Sequence, residues 1–390
     1  MGYVCSGCER ERRGEPYDWA ASRLYCKTCL SRKEGVKIAV LIPAHNEEAV
    51  IDGCLRCATR EVGQEHVYLV SDNSTDRTAS WGRDWTRNVL EVKRGGKARA
   101  VSTGVKHFAL CERYDAVLVV DADSLLLPGA LDHYRAHFAP ETAAVIGRPK
   151  VLSDQRGLIA AWRRHQYFWL NTVYLRGAAA YGGGFPVTPG FCTAYATRAL
   201  ERFEHDAMAP TEDIDYCWQV HRRRLGSIVY APDAVVETAV PVRLRDYVKQ
   251  ILRWHRGWHY ATRKHRLLSG FQPVDFVAGL MMAEMVMVWL RLLVLAILVI
   301  SGLSLEVSDR PLVLWLALSF AVDAGILFLL GATRSRRLGA IRRGRTLPYV
   351  IAFAAMFWLD QFVNLYAAAT LRRGLKAAWT SPQRREEVRT

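Results

Sequence analysis

The sequence predicts an α/β domain that lies between a small cysteine-rich module and an apolar helical region. Apolar segments typical of buried strands occur at 36–42, 66–70, 115–120 and 143–146, and helical stretches separate them. Two Cys-x-x-Cys pairs lie near the amino terminus, and long apolar runs fill the last third of the chain. We therefore expect a largely parallel sheet that binds ligands at the carboxyl ends of its strands.

The composition is that of a folded and strongly basic protein. The 390 residues include 53 Lys or Arg and 38 Asp or Glu, which gives a formal net charge of +15. Hydrophobic residues make up 51% of the chain and charged residues 23%. These values exclude a disordered chain, a collagen-like chain and a small disulfide scaffold, and the length allows two or three domains.

Residues 1–34 are predicted to form a zinc ribbon. Cys5 and Cys8 are separated by 17 residues from Cys26 and Cys29, and two such pairs can close a tetrahedral zinc site. So short a segment depends on a metal for most of its stability. Disulfides, or an iron-binding or redox site, are the alternatives. Because no secretory signal precedes the cysteines, we expect reduced thiols on the cytosolic side, in a module that is either structural or a docking site for a partner protein.

The predicted α/β domain spans residues 35–242, and its strand ends carry polar motifs. Strand 36–42 is expected to end at Pro43. Asp121 and Asp123 follow strand 115–120, and residues i and i+2 of an extended segment point to the same side. Two carboxylates on one side suit Mg²⁺ or Mn²⁺, with a diphosphate completing the ligand shell.

A basic amphipathic helix is predicted within residues 243–270. Residues 243–266 hold eight Lys or Arg and one acid, interleaved with large apolar side chains. This pattern is typical of a helix on an anionic membrane surface, and residues 157–180 form a second candidate. Basic and aromatic residues also occur together in nucleic-acid-binding proteins, which is the alternative interpretation.

Residues 271–390 are predicted to be a membrane region with two or three spans. The candidate spans are 276–303, 311–331 and 347–370. The loop at 332–345 carries six arginines and no acid, which places it on the cytosolic side together with everything before the first span. The third segment either crosses the membrane or is re-entrant. The ionisable residues of the three apolar segments either form structural pairs, such as Arg291 with Asp323, or line a substrate path.

Six motifs in a fixed order carry a resemblance to a known family. They are Pro43 to Glu48, Ser71 to Thr78, Gly95 to Arg99, Pro189 to Tyr195, Thr211 to Asp213, and Gln250 with Arg253 and Trp254, and they occur around the pair Asp121 and Asp123. In this order they resemble the family 2 glycosyltransferases with the GT-A (Rossmann-like) fold. The likeness is to processive membrane members such as poly-N-acetylglucosamine, hyaluronan and cellulose synthases.

The resemblance implies a binding site for a nucleotide-sugar donor. In such enzymes the carboxylate at Asp72 holds the base, with Pro43, Ala44 and Glu47 around it. Asp121 and Asp123 hold the sugar-nucleotide and a catalytic Mg²⁺ or Mn²⁺. The remaining donor contacts implied by the resemblance are Lys97, Gln250, Arg253 and Trp254. A solvated loop lysine is the alternative for Lys97, and an ordinary interfacial helix is the alternative for the last three.

The resemblance also implies that Asp213 is the general base of an inverting transfer. Like charges at Glu212 and Asp215 are expected to raise the pKa of Asp213 toward a useful range. Thr211 is expected to cap a helix that begins here, with or without a catalytic role for the carboxylates. The family's acceptor-side motif has an arginine soon after its aromatic residue, whereas in this chain the arginine comes later, at Arg198.

The sequence therefore predicts an integral membrane glycosyltransferase with its amino terminus and catalytic domain in the cytosol. A UDP-sugar is the expected donor, with N-acetylglucosamine as the sugar that the resemblance implies. The acceptor is either a growing polysaccharide or, for a single addition, a lipid-linked molecule. A membrane-attached zinc-ribbon protein that binds nucleic acid is the alternative from another class, although no nucleic-acid partner is expected.

Overall fold

The computed structural model describes residues 2–4, 11–13, 35–206, 208–300 and 346–371. Nearly all of the predicted α/β domain falls within these ranges. Two apolar helices that follow the domain are also described.

The amino-terminal module is described only at two short strands. β1 (Gly2–Val4) pairs antiparallel with β2 (Glu11–Arg13). The cysteines of the predicted zinc ribbon lie outside the described residues; they are Cys5, Cys8, Cys26 and Cys29. Among the residues that the structure does describe, no group of three or more His, Cys, Asp or Glu side chains is arranged to hold a metal. The zinc ribbon therefore stays a prediction.

The catalytic-domain candidate is built on an eight-stranded mixed sheet in the order β5-β4-β3-β6-β9-β8-β10-β7. Its strands are β3 (Ile38–Ala44), β4 (Val67–Asp72), β5 (Val89–Val92), β6 (Ala116–Val119), β7 (Ser124–Leu126), β8 (Thr142–Val151), β9 (Thr193–Ala196) and β10 (Ser227–Thr238).

Helices connect the strands and continue beyond the sheet. They are α1 (Ile51–Val62), α2 (Thr78–Trp85), α3 (Lys97–His107), α4 (Leu110–Arg113), α5 (Ala130–His137), α6 (Leu158–Trp169), α7 (Arg176–Ala180), α8 (Thr197–Leu200), α9 (Glu212–Arg222), α10 (Leu244–Lys264), α11 (Pro273–Ile300) and α12 (Thr346–Ala369). A π-helical turn at Leu170–Leu175 joins α6 to α7.

The strand β3 runs one residue past Pro43, where the sequence predicts its end. Pro43 pairs with Val70 of β4 and has no N–H to donate. Leu41 accepts a hydrogen bond from Val120 on the β6 side, and residues two apart in a strand face the same neighbour. The pairing of β3 with β6 ends at Leu41, so the missing N–H of Pro43 costs the sheet no hydrogen bond.

The prediction of a largely parallel sheet is wrong in its second half. Strands β3, β4, β5 and β6 pair in parallel, as does β8 with β10. However, β9 pairs antiparallel with both β6 and β8, and β7 pairs antiparallel with β10. The four-residue strand β9 carries too little periodicity to be recognised as a strand in the sequence.

The predicted amphipathic helix is confirmed as α10, and its apolar face packs on protein. Tyr247 and Ile251 of α10 form a buried cluster with Trp162 of α6 and with Phe353 and Met356 of α12. The same packing joins the sheet domain to the carboxyl-terminal helix. Whether α10 also lies on a membrane surface stays a prediction.

Two described helices are long and apolar enough to cross a membrane. The qualifying stretches are Pro273–Leu290 in α11 and Ile351–Ala369 in α12. They coincide with the first and third predicted spans, while the second, 311–331, lies outside the described residues. Asp323 lies in that undescribed segment, so its suggested pairing with Arg291 stays untested.

A buried ion pair ties α11 to α9, the helix that begins at Glu212. Arg222 donates to both carboxylate oxygens of Asp275, at 2.7 Å and 2.5 Å, and the two side chains are 15% and 3% exposed. Asp275 also accepts hydrogen bonds from the N–H groups of Leu268 and Gln272. The carboxylate of Asp275 therefore organises the whole connection between α10 and α11.

Asp275→Ala is expected to lower the free energy of unfolding by about 3–5 kcal/mol, because it leaves the Arg222 charge buried without its partner. Thermal or chemical unfolding of the full chain in detergent measures this loss. The control is Asp132→Ala, which breaks the pair with Arg135. Asp132 is 75% exposed, so this change is expected to cost about 1 kcal/mol or less. Equal unfolding midpoints for the two variants would contradict the role of Asp275.

Candidate active site

A single cavity of about 740 Å³ brings together most of the side chains that the sequence singles out. The predicted site residues that line it are Pro43, Glu47, Lys97, Asp121, Asp123, Glu212, Asp213, Gln250, Arg253 and Trp254. Ala44 and Asp72 are buried in the sheet beside it and do not line it. The cavity opens at the carboxyl ends of β3 and β6 and extends to α11 and α12.

Asp72 ends β4 and fixes the loop that leads into α3. Its carboxylate is 1% exposed and accepts hydrogen bonds from the N–H groups of Gly95, at 2.7 Å, and Gly96, at 2.8 Å. Arg94 donates to the same carboxylate at 3.1 Å. Gly96 has φ of +83°, a conformation that favours glycine. The Gly-Gly pair therefore allows a turn that presents Lys97 at the start of α3.

Asp121 and Asp123 lie in the short connection between β6 and β7. Ser124 begins β7 and pairs with Thr238 of β10, which brings the Thr238 hydroxyl to 3.4 Å from the Asp123 carboxylate. The thiol of Cys54, on α1, donates to the Asp121 backbone carbonyl at 3.4 Å. Asp123 is 6% exposed, whereas the Asp121 side chain is 33% exposed. The connection thus presents one shielded and one open carboxylate.

The Lys97 side chain is buried in the centre of the carboxylates. Its Nζ lies 2.5 Å from Asp121 and 3.2 Å from Glu212, and it donates to the Gly190 carbonyl at 3.1 Å. Burial alone would lower the pKa of Lys97, but the charges of Asp121, Glu212 and Asp213 raise it above its ordinary value. The alternative of a solvated loop lysine is wrong, and the ammonium remains charged in the cavity.

Asp213 is placed by the first turn of α9 and by the loop before β9. The N–H of Gly190 donates to its carboxylate at 2.9 Å, and Thr188 donates to its carbonyl at 2.9 Å. Burial and the charge of Glu212 raise the pKa of Asp213 to about 6, against the opposing influence of Lys97. Asp213 is therefore ionised at neutral pH, with a basicity well above that of an ordinary aspartate.

Gly190 has a role in the site that sequence reasoning did not assign. A Cβ at this position would stand 3.1 Å from Lys97 Nζ and 3.1 Å from Asp213 Cβ, tighter than ordinary contact. Glycine therefore lets the loop bond both side chains at once. In the sequence, the only sign of this role is that the Pro189-Gly pair begins one of the family motifs.

Asp215 does not act on Asp213 as the sequence suggested. It is 1% exposed and points to the other side of α9, where Lys264 and His265 each approach it to 2.8 Å. Burial pushes the pKa of Asp215 up, but hydrogen bonds from His265 and Lys264 lower it overall. Residues 213 and 215 lie about 200° apart around a helix, which explains the separation. Thr211 precedes α9 as expected, but its side chain makes no capping hydrogen bond.

Gln250, Arg253 and Trp254 share one side of α10 and face the cavity. The buried guanidinium of Arg163, on α6, stacks 4.5 Å from the Trp254 ring centroid and donates to Gln250 at 2.8 Å. The charge of Arg253 acts on Asp213. Sequence analysis identified Arg163 only as part of a basic segment, because its partners lie nearly 90 residues away.

The end of the cavity nearest α12 is lined by polar groups of that helix. Asp360 accepts hydrogen bonds from Tyr247 at 2.7 Å, from Trp162 at 3.2 Å and from Gln166 at 2.7 Å. This carboxylate therefore joins α6, α10 and α12. The sequence allows such an ionisable residue either a structural role or a place along a substrate path. Asp360 has the structural role, and it also lines the cavity.

Arg198 lies away from this cavity. It donates to the backbone carbonyls of Leu225, at 3.0 Å, and Thr142, at 2.7 Å. These contacts tie α8 to the sheet. Arg198 therefore has a structural role in the described fold.

The donor set in the cavity fits a divalent cation. Four carboxylates (Asp121, Asp123, Glu212 and Asp213) line the cavity with the cationic groups of Lys97 and Arg253, so the cluster keeps an excess of negative charge. The oxygens of Asp121 and Asp123 are the hard ligands that Mg²⁺ and Mn²⁺ prefer. Since they do not form a complete protein cage among the described side chains, a bound diphosphate would supply the remaining oxygens.

Comparison with known proteins decides the family. Residues 35–257, more than half of the chain, match the family described as "Glycosyltransferase like family 2". The chain belongs to this family. The match includes every motif from Pro43 to Trp254, so the resemblance drawn from the sequence is confirmed.

Two relatives show how this family 2 member compares with characterised chains. A hyaluronan synthase of Streptococcus pyogenes is 27% identical over 244 residues, which are 57% of this chain and 57% of that protein. An N-acetylglucosaminyltransferase of Rhizobium meliloti (strain 1021) is 25% identical over 354 residues, 86% of this chain and 79% of that protein. The chain thus matches little more than half the length of the hyaluronan synthase.

A solved structure shares the fold of this glycosyltransferase. The mannosyltransferase PcManGT from Pyrobaculum calidifontis, in complex with GDP-Man and Mn²⁺, superposes with a TM-score of 0.61 at 18% identity. The superposition covers 87% of this chain and 88% of that one. The expected GT-A-like α/β fold is confirmed, with a mixed sheet.

Proposed function

We propose that this protein transfers a sugar from a nucleotide-sugar donor to a growing polysaccharide at the cytosolic face of a membrane. One observation carries the proposal. A single cavity connects the carboxylates around Lys97 to the aromatic face of Trp254 and on to the two apolar helices α11 and α12. A donor at one end and an acceptor at the other would meet beside Asp213.

The donor end of the cavity supports a nucleoside diphosphate sugar. Pro43 and Glu47 would contact the base, with the buried Asp72 and Ala44 supporting that end of the cavity from the sheet, while Lys97 would contact the diphosphate or the sugar. A UDP-sugar is the first candidate donor. UDP-N-acetylglucosamine is favoured by the name of the Rhizobium meliloti relative, an N-acetylglucosaminyltransferase.

The chemistry that the cavity supports is a single displacement with Asp213 as general base. The acceptor oxygen forms a bond to the anomeric carbon, the bond from that carbon to the diphosphate breaks, and the acceptor proton moves to Asp213. Glu212 keeps Asp213 basic by charge repulsion, and the Gly190 N–H holds the carboxylate in place. Direct displacement inverts the anomeric configuration.

Asp121 and Asp123 would hold the Mg²⁺ or Mn²⁺, which supplies charge neutralisation to the leaving diphosphate when bound. Arg253 offers a fixed fork of donors for phosphate oxygens. Trp254 offers a flat apolar face for a sugar ring, and Arg163 with Gln250 holds that face in place.

A single addition to a lipid-linked acceptor is the second candidate. It is favoured by the apolar side chains of Met281 and Phe357, which line the cavity where α11 and α12 approach it. The helices α11 and α12 would anchor the enzyme in the membrane, with the catalytic domain cytosolic. A structural Zn²⁺ on Cys5, Cys8, Cys26 and Cys29, with a docking protein partner, completes the proposal. Family membership favours an enzyme over a nucleic-acid-binding protein.

The test is nucleotide release by the purified full chain in detergent. UDP- and GDP-sugars are supplied one at a time with Mn²⁺ or Mg²⁺, with and without a chelator, and in membranes that provide an acceptor. Turnover with one donor that stops in chelator supports a metal-dependent transferase, and product length then separates polymer from single addition. Absence of donor binding by calorimetry across the whole panel would contradict the proposal.

A further inference from the structure

We propose that Lys97 is a built-in counter-ion that competes with the divalent metal for Asp121, so that the free enzyme binds metal weakly until the donor draws Lys97 away. This inference rests on the proposed function, because it needs a metal that acts together with a nucleotide-sugar. It assigns Lys97 a second role besides contact with the donor.

The contacts of Lys97 use the full capacity of its ammonium group. Nζ has three N–H donors and meets three acceptors, which are Asp121 at 2.5 Å, Glu212 at 3.2 Å and the Gly190 carbonyl at 3.1 Å. Only 10% of the side chain is exposed. An ammonium group held in this way is a fixed part of the site rather than a mobile surface charge.

A metal and this ammonium cannot share Asp121 at low cost. A divalent metal sits about 2.0–2.1 Å from a carboxylate oxygen in a compact shell. Lys97 Nζ already lies 2.5 Å from Asp121 Oδ1, so both cations on this carboxylate would be close neighbours. Repulsion between charges at that separation is strong in a partly buried site. A metal that binds Asp121 Oδ1 therefore requires Lys97 to move, and a metal on the other oxygen of this carboxylate is weakened by the nearby ammonium group.

The donor can move Lys97 from two directions. Its diphosphate is a new anion for the ammonium group. Its base would bind beside Asp72, whose buried carboxylate accepts hydrogen bonds from the N–H groups of Gly95 and Gly96, the two residues directly before Lys97. The loop at 94–96 thus links the proposed base contact to the position of the lysine. Donor binding and metal binding are expected to be cooperative through this link.

The experiment is an Mn²⁺ titration of the full chain in detergent, followed by EPR of free Mn²⁺, with and without UDP. In the wild type, UDP is expected to raise the affinity for Mn²⁺ by about 5–150-fold. Lys97→Gln is expected to raise the affinity without UDP by about tenfold and to reduce the further gain from UDP. The control Lys106→Gln changes an exposed lysine of the same helix and is expected to match the wild type.

A Lys97→Gln variant that is folded but binds Mn²⁺ no more tightly than the wild type without UDP would overturn the inference alone. Lys97→Met fills the same space and repeats the test if the Gln variant does not fold. Lys97→Arg keeps the positive charge and is expected to keep the weak binding. A wild type that binds no Mn²⁺ even with UDP would overturn both this inference and the proposed metal-dependent function.

Discussion

Asp213→Asn is expected to reduce donor turnover by about 10²–10⁴-fold, the usual contribution of a positioned general base. Asparagine has nearly the same shape and can still accept the hydrogen bond from Gly190. It cannot take up the acceptor proton. We expect the loss in kcat, with little change in the KM for the donor, because the proposed role of Asp213 is to act on the acceptor rather than to bind the nucleotide.

The matched control for this change is Asp84→Asn, at an exposed aspartate of α2 that does not line the cavity. It is expected to retain wild-type turnover. Initial rates of nucleotide release at saturating donor measure both variants. An Asp213→Asn enzyme that kept more than about one tenth of the wild-type kcat would rule out Asp213 as the base.

Asp123→Asn is expected to lower turnover by about 10²–10³-fold, the scale seen when one group that stabilises developing charge is removed. Asp123 is 6% exposed and lies beside the Thr238 hydroxyl, so an amide of the same size fits the space. The change removes one of two hard anionic ligands for the metal. We therefore also expect the apparent KM for Mn²⁺ to rise.

Rates of nucleotide release over a range of Mn²⁺ concentrations measure this effect. Asp132→Asn is the control, because the Asp132 side chain is exposed, pairs with Arg135 on the surface of α5 and does not line the cavity. It is expected to leave both rate and metal dependence unchanged. Unaltered metal dependence in Asp123→Asn would show that the metal is bound elsewhere.

The sequence predicts well which residues meet at the carboxylate-lined end of the cavity, for a physical reason. Pro43, Asp72 and Asp121 each follow or end an apolar strand, and the carboxyl ends of neighbouring parallel strands meet at one edge of a sheet. Strand type and order therefore place these residues together without knowledge of their contacts.

The contacts that sequence reasoning missed depend on tertiary packing. The antiparallel strand β9 brings Gly190 between Lys97 and Asp213, and four residues of strand carry no usable period. Arg163 reaches Trp254 only because α6 and α10 pack together. Nearness in the chain suggests that the charge of Asp215 acts on Asp213. The turn of the helix instead points the Asp215 side chain toward Lys264.

The pH dependence of kcat/KM for nucleotide release tests the role of Asp213 most directly, because it reports groups of the free enzyme. A general base works only when deprotonated, and the pKa of Asp213 is raised to about 6 by burial and by Glu212. The rate is therefore expected to rise with pH through about 6 and then level off. The residual rate of Asp213→Asn is expected to lack this rise. A wild-type rate that is flat between about pH 5 and 8, or a rise that persists in the variant, would contradict the account.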